Sequence, residues 1–202
     1  RMGQGFVDTL LVVGAHGPSA WAAEDNGLPD DPEQERIERY AIEQADVLIA
    51  PSQYLLGWME ARGWRLPQRH YVLPISGGAI LPADRQPDRV APLPGDSEVA
   101  RDYVAARAAG WLVETGFVSD LDSADALAFL AVPGRLAIMP SLIENSPCTV
   151  LECLLDGIPF LAADVGGVAE LIAPEDRDRL LFAPTADALA AALTDRLESG
   201  AA

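Results

Sequence analysis

Six short runs in this chain are almost wholly apolar: Leu10–Val13, Val47–Ala50, Tyr71–Leu73, Leu136–Met139, Phe160–Ala162 and Leu180–Phe182. A strand that alternates apolar and polar residues can leave one face in water, whereas a strand that is apolar throughout has to be covered on both. Between these runs lie longer stretches with helical spacing and helix-start chemistry. Strands of this kind alternating with helices predict an α/β architecture built on parallel sheets with helices on their faces.

The punctuation agrees with that pattern. Asp31-Pro32-Glu33 has the form of a helix start, with Asp as the cap and Pro in the first turn, and Ile37, Tyr40, Ala41 and Ile42 supply its apolar stripe. Pro51-Ser52 opens a helix over about 52–62 that Gly63 closes. Further helices are predicted over 97–109, 122–130, 149–155, 169–172 and 185–197, the last with Thr185 as cap, and a further strand over 111–117. Residues 75–98 break the pattern: they hold Gly77, Gly78, Pro82, Pro87, Pro92, Pro94 and Gly95 with little periodicity. So long an irregular stretch is uncommon inside one compact domain. The predicted division is a first lobe over residues 1–75, a linker or irregular segment over 76–98, and a second lobe over 99–202.

Composition narrows the function. The net charge of −17 is a poor match to nucleic acid or an anionic membrane surface, so neither is an expected partner. All 14 basic residues are arginine. Without lysine there is no Schiff-base chemistry and no P-loop. Two cysteines, Cys148 and Cys153, fall on different faces of one predicted helix, so a bridge between them is not expected, and their number fits a reducing, cytoplasmic setting. No apolar run is long enough to cross a bilayer, and Asp8 interrupts any signal-peptide core. The chain begins at Arg1, which marks it as a candidate fragment. His16 and His70 have no carboxylate or thiol at ligand spacing, so no metal site is expected, and Asp120-Leu121-Asp122 reads as helix capping.

The richest stretch is Pro140-Ser141-Leu142-Ile143-Glu144-Asn145-Ser146-Pro147-Cys148-Thr149-Val150-Leu151-Glu152. A buried strand runs into a polar turn, the turn opens a helix, and Gly157-Ile158-Pro159 leads to the next strand. Pro147 suits the first helical turn and Ser146 the N-cap, so the amides of Cys148, Thr149 and Val150 are expected to face an anion such as a diphosphate. Glu144 and Glu152 would repel that anion if they faced it. They make sense where each accepts hydrogen bonds from hydroxyls on either side of it, a sugar on one side and a ribose on the other. The competing reading is a solvated Glu144 and a Glu152 that merely favours the helix start.

This stretch, with Gly157 to Glu170 after it, resembles the donor-nucleotide region of the family-four retaining glycosyltransferases, whose B-type fold has two Rossmann-like domains. Two glutamates at this spacing are that family's signature. His16-Gly17-Pro18-Ser19-Ala20-Trp21 is similar to the family's acceptor-side histidine loop, and Ala45-Asp46-Val47-Leu48-Ile49-Ala50-Pro51-Ser52 to the passage that ends its acceptor domain. The resemblance covers roughly residues 5–75 and 111–198. It implies an α/β fold of two Rossmann-like lobes, both truncated, with an acceptor-side lobe followed by a donor-nucleotide lobe. It implies transfer of a glycosyl group from a nucleotide-diphospho-sugar to a hydroxyl acceptor such as a saccharide, with retention and without a metal or other cofactor.

Residue by residue, Glu144 would hold the donor sugar, Glu152 the ribose, Ser146 and the amides of Cys148 and Thr149 the diphosphate, and Gly166-Gly167 would let backbone approach a ligand. His16 would lie near the reacting carbon or the acceptor. The chain departs from the family in its length and in the lysine-containing diphosphate segment, where it has the Pro-rich stretch 82–95. Two alternatives follow: a non-catalytic truncated relative that binds a nucleotide or a partner, and a nucleotide-sugar epimerase on the same fold. Incomplete lobes also imply exposed apolar sheet surface and hence a possible homodimer.

Overall fold

The computed structural model describes residues 10–27, 29, 31–74, 118 and 121–199. The chain divides into two units, residues 1–77 together with 130–202, and residues 78–129. The elements expected over 97–109 and 111–117, and the irregular segment 76–98, lie outside the described residues.

The first unit holds two parallel sheets. The first comprises β1 (Val12–Gly14), β2 (Val47–Ala50) and β3 (His70–Val72) in that spatial order. In its register Val13 pairs with Leu48, and Ala50 with Val72. The second comprises β4 (Ala137–Met139), β5 (Phe160–Ala163) and β6 (Leu181–Phe182), again in order. The central strands, β2 and β5, are the more buried in their sheets, since each has neighbours on both sides.

Helices α1 (Ser19–Asn26), α2 (Pro32–Glu43) and α3 (Gln53–Ala61) belong to the first half. Asp31 caps α2 as its chemistry predicts, accepting from the Glu33 and Gln34 amides at 3.1 Å each. Ser52 caps α3, accepting from the Leu55 amide at 3.1 Å. The core of this half is Leu48 and Ala50 of β2 against Leu55, Leu56 and Met59 of α3, joined by Ile42 and Trp64. Trp58 and Trp64 pack edge to face, with ring centroids 6.0 Å apart, and the Arg62 guanidinium lies 4.7 Å from the Trp58 ring centroid.

Helix α4 (Ser123–Leu130) lies almost entirely in the second unit, and there Asp122 accepts from the Asp125 amide at 2.9 Å, which makes it a cap. The second half of the first unit continues with α5 (Cys148–Asp156), a 3-10 turn at Val168–Glu170, another at Pro174–Asp176, the short α6 (Arg177–Leu180) and the long α7 (Ala186–Ser199). Thr185 caps α7 by accepting from the Ala188 amide at 3.2 Å. Leu161, Ala163 and Phe182 face Ala188, Leu189, Ala192 and Leu193 of α7.

Two helices have no counterpart in the sequence reading, and one expectation is corrected. Helix α1 has no strong apolar stripe, so periodicity does not reveal it; Ala20 and Ala23 are nonetheless buried. Helix α6 is four residues long, too short for a period to register. Both faces were expected to be covered on each sheet, but in the first sheet one side carries Val12, Tyr71 and Leu73, all well exposed. The register explains this, because these residues alternate with Val13, Leu48, Ala50 and Val72, which point to the α3 side.

Glu43, the last residue of α2, ties the first half together. It accepts from Arg39 Nε at 2.8 Å and from the Arg65 amide and guanidinium at 3.2 and 3.0 Å, and Arg39 also donates to the Gly63 carbonyl at 2.8 Å. The Arg39 hydrogen bond first, then those from Arg65, overcome the cost of covering the carboxylate and hold it down at about 2, against an ordinary 4.5. A depressed carboxylate contributes stability that is present above about 4.5 and lost as the pH falls through about 2. Glu43→Gln is therefore expected to lower the thermal midpoint at neutral pH, with the gap from wild type closing across that window. A gap that is the same at both ends would refute the assignment.

Candidate functional site

The signature turn follows β4, so its position is set by a strand end. Ser141 Oγ donates to Glu144 Oε1 at 2.7 Å, which orients a half-buried carboxylate. Helix α5 then begins at Cys148. Its N-cap is Pro147, not Ser146 as the sequence suggested, and Pro147 makes no side-chain cap bond to the helix. Pro147 takes the extended conformation (φ −69°, ψ 121°) and its carbonyl receives the first helical bond, from Leu151 at 3.3 Å. A proline at the cap has no side-chain acceptor to offer, which leaves the Thr149 and Val150 amides without a partner inside the helix.

Ser146 is 7 % exposed, and its Oγ is buried with no hydrogen-bond partner. A buried hydroxyl in that state costs free energy unless a guest supplies the bond. It sits two residues before an uncapped helix N-terminus, where the helix dipole favours negative charge. Glu152 is half-buried one turn after Cys148, on the same side of α5. Neither cysteine is in a disulfide, and burial first, then Glu152 and Asp156, push the Cys153 thiol upward, which keeps it protonated.

The turn is packed against the first half of the chain. Asn145 Nδ2 donates to the His16 carbonyl at 2.9 Å, and Ser52 Oγ donates to Asn145 Oδ1. The Gly167 amide donates to the Glu144 carbonyl at 3.2 Å. A Cβ on Gly166 would lie 1.7 Å from the Glu144 carbonyl oxygen, and one on Gly167 would lie 1.9 Å from that of Asn145. The close backbone approach at this pair is thus to the turn itself. Glu170, just beyond, accepts from the Gln53 and Tyr54 amides at 2.7 Å each and so caps α3 from across the unit.

Sequence-predicted residues are therefore brought together as a group: His16, Glu144, Ser146, Cys148, Thr149, Gly166 and Gly167 belong to one packed junction or its immediate continuation. The His16 side chain itself is exposed. Reasoning from sequence missed Ser52, Asn145 and Glu170 as the residues that make the junction. Their signal was present, since Asn145 sits inside the signature and Glu170 closes the Gly-Gly segment, but only contacts more than 90 residues apart in sequence reveal the partners.

Beside the Gly166-Gly167 turn opens a cavity of about 410 Å³ lined by Asp164, Ala169, Arg177, Asp178, Phe182 and Pro184 among others. Glu144, Ser146 and Glu152 do not line it. Among the described residues no group of three or more side chains could hold a metal ion, and no helix is long and apolar enough to cross a membrane.

No curated protein matches the chain. Among solved structures, a sucrose-phosphate synthase from Thermosynechococcus elongatus superposes with a TM-score of 0.67 at 20 % identity, covering 92 % of this chain and 58 % of that one. That likeness establishes the B-type, Rossmann-like fold, and the chain spans only a little over half the length of the protein it matches. Residues 93–199, more than half of the chain and the part that holds the signature turn, match the family described as Glycosyl transferases group 1. The chain belongs to that family of glycosyltransferases.

Proposed function

We propose that this chain transfers a sugar from a nucleotide-diphospho-sugar to a hydroxyl acceptor, with retention of anomeric configuration and without a metal ion. The observation that carries the reading is the pairing of an uncapped α5 N-terminus with the buried, unpartnered Ser146 hydroxyl. In this reading the diphosphate takes the Thr149 and Cys148 amides and the Ser146 hydrogen. Glu144 accepts bonds from the donor sugar, Glu152 from the ribose, and the His16 side receives the acceptor. Residues 1–75 serve the acceptor and 99–202 the donor, in a reducing, cytoplasmic setting.

The bond from the anomeric carbon to the diphosphate oxygen breaks as the bond to the acceptor oxygen forms, and the acceptor proton passes to the leaving phosphate. The dipole of α5 and its first-turn amides stabilise the charge that develops on the departing oxygen, a duty that elsewhere falls to a lysine.

Calorimetry with a panel of nucleoside diphosphates tests the binding half of this reading. Ser146→Ala is expected to weaken the preferred nucleoside diphosphate by about tenfold to a hundredfold, the value of one hydrogen bond to a charged group. A panel that gives no heat, or a variant that binds as tightly as wild type, overturns the placement of the diphosphate. A transfer assay with matched donors and saccharide acceptors tests the chemistry, and release of an epimerised nucleotide-sugar in place of a new glycoside would contradict it.

A further inference from the structure

We propose that Asn145 is a positioning residue that sets the His16 loop relative to the donor-side turn; the catalytic meaning of this role rests on the reading above, whereas its geometry does not. Asn145 lies between Glu144 and Ser146, the residues assigned to the sugar and the diphosphate. Its carboxamide reaches across to the first half of the chain. One end donates to the His16 carbonyl at 2.9 Å and the other accepts from Ser52 Oγ. Both partners of the second bond are buried, Asn145 with 7 % exposed and Ser52 with 1 %. Ser52 is not free to follow a shifting turn, because the same hydroxyl accepts from the Leu55 amide and fixes the start of α3.

The surroundings remove the remaining slack. Gly167 lies against the Asn145 carbonyl and Ser52 Cβ with no room for a methyl group on either side. Glu170 holds the Gln53 and Tyr54 amides from the second half. On the far side of His16, the Trp21 indole nitrogen donates to Tyr54 Oη at 3.4 Å, and a Cβ on Gly17 would lie 2.9 Å from the Trp21 ring. The His16 loop is therefore seated on Trp21 at one end and on the Asn145 amide at the other. A buried amide with both ends engaged costs free energy to rotate or withdraw, so the turn that holds a donor and the loop that faces an acceptor move together.

Asn145→Asp separates this role from simple packing. It keeps the size and the acceptor for Ser52, removes the donor to His16, and sets a carboxylate oxygen against the His16 carbonyl. Amide hydrogen exchange, read by mass spectrometry on the unliganded chain, is expected to rise about tenfold over residues 14–22 while residues 47–50 exchange as in wild type. In the transfer assay, Ser52→Ala, which adds no charge beside the diphosphate, is expected to keep donor affinity within about threefold of wild type, while turnover at saturating donor falls by a larger factor, as expected when the two reactants are misaligned.

Unchanged exchange over 14–22 in a folded variant overturns the proposal, and so does a Ser52→Ala variant in which donor affinity and turnover fall by the same factor. If Asn145→Asp fails to fold, Ser52→Ala replaces it, with a rise of about threefold over 14–22 expected and no rise overturning the proposal. Should the wild-type chain bind no nucleoside diphosphate, the functional reading falls while the exchange measurement still decides whether Asn145 couples the two segments.

Discussion

Gly167→Ala is expected to lower the thermal midpoint of unfolding by about 6–12 °C, equivalent to roughly 3 kcal/mol in a domain of this size. The new methyl group would sit 1.9 Å from the Asn145 carbonyl oxygen and 2.8 Å from Ser52 Cβ. Neither is the loose end of a flexible side chain, so the turn or the start of α3 has to shift. Gly166→Ala is expected to do as much by a different route. Its Cβ would lie 1.7 Å from the Glu144 carbonyl oxygen, and its φ of 53° is a conformation that alanine resists. Gly57→Ala provides the contrast. Gly57 is exposed inside α3, and a methyl group there would meet nothing within 4 Å, so the same change is expected to stabilise by about 0.5–1 kcal/mol through helix propensity. Calorimetric melting of the three variants reads all of this. A Gly167→Ala variant that melts with wild type would mean that the junction between the signature turn and α3 is not packed as described.

Glu152→Ala is expected to weaken binding of a ribonucleoside diphosphate by about tenfold to a hundredfold, the worth of hydrogen bonds to an ionised carboxylate. The sharper signature is selectivity. If Glu152 holds ribose hydroxyls, wild type discriminates between a ribonucleoside diphosphate and its 2′-deoxy counterpart by about tenfold, and Glu152→Ala discriminates little, because the group that detects the missing hydroxyl is gone. Equal discrimination in both proteins would remove Glu152 from the ribose while leaving the diphosphate at α5 untouched. Titration calorimetry with the two ligands and the two proteins completes the cycle.

Much of the framework is legible in the residues alone. Strand β2 follows from its apolar run, and Ser52 as the cap of α3, Asp31 as the cap of α2 and Thr185 as the cap of α7 follow from local rules, because a cap is a contact between residues two or three apart. The paired glutamates and the turn between them are legible as a motif for the same reason. The cap of α5 is not, because Ser146 is the residue type that commonly fills that place, while the backbone puts Pro147 there and leaves the serine hydroxyl buried without a partner. Helix α1 escapes because it buries small alanines, which give no apolar period.

From its sequence alone, this chain specifies parallel α/β elements, a strand-to-helix turn with a helix start after Pro147, and two glutamates that flank that start. These depend on interactions within a few residues along the backbone, and such interactions survive in a one-dimensional reading. Tertiary structure decided that Asn145 spans from the donor-side turn to His16 and Ser52, that Glu170 caps a helix more than a hundred residues away, and that Gly166 and Gly167 make room for the turn's own carbonyls. Those contacts join segments that chain order keeps far apart, and only the packing of the folded unit brings their atoms within hydrogen-bonding reach.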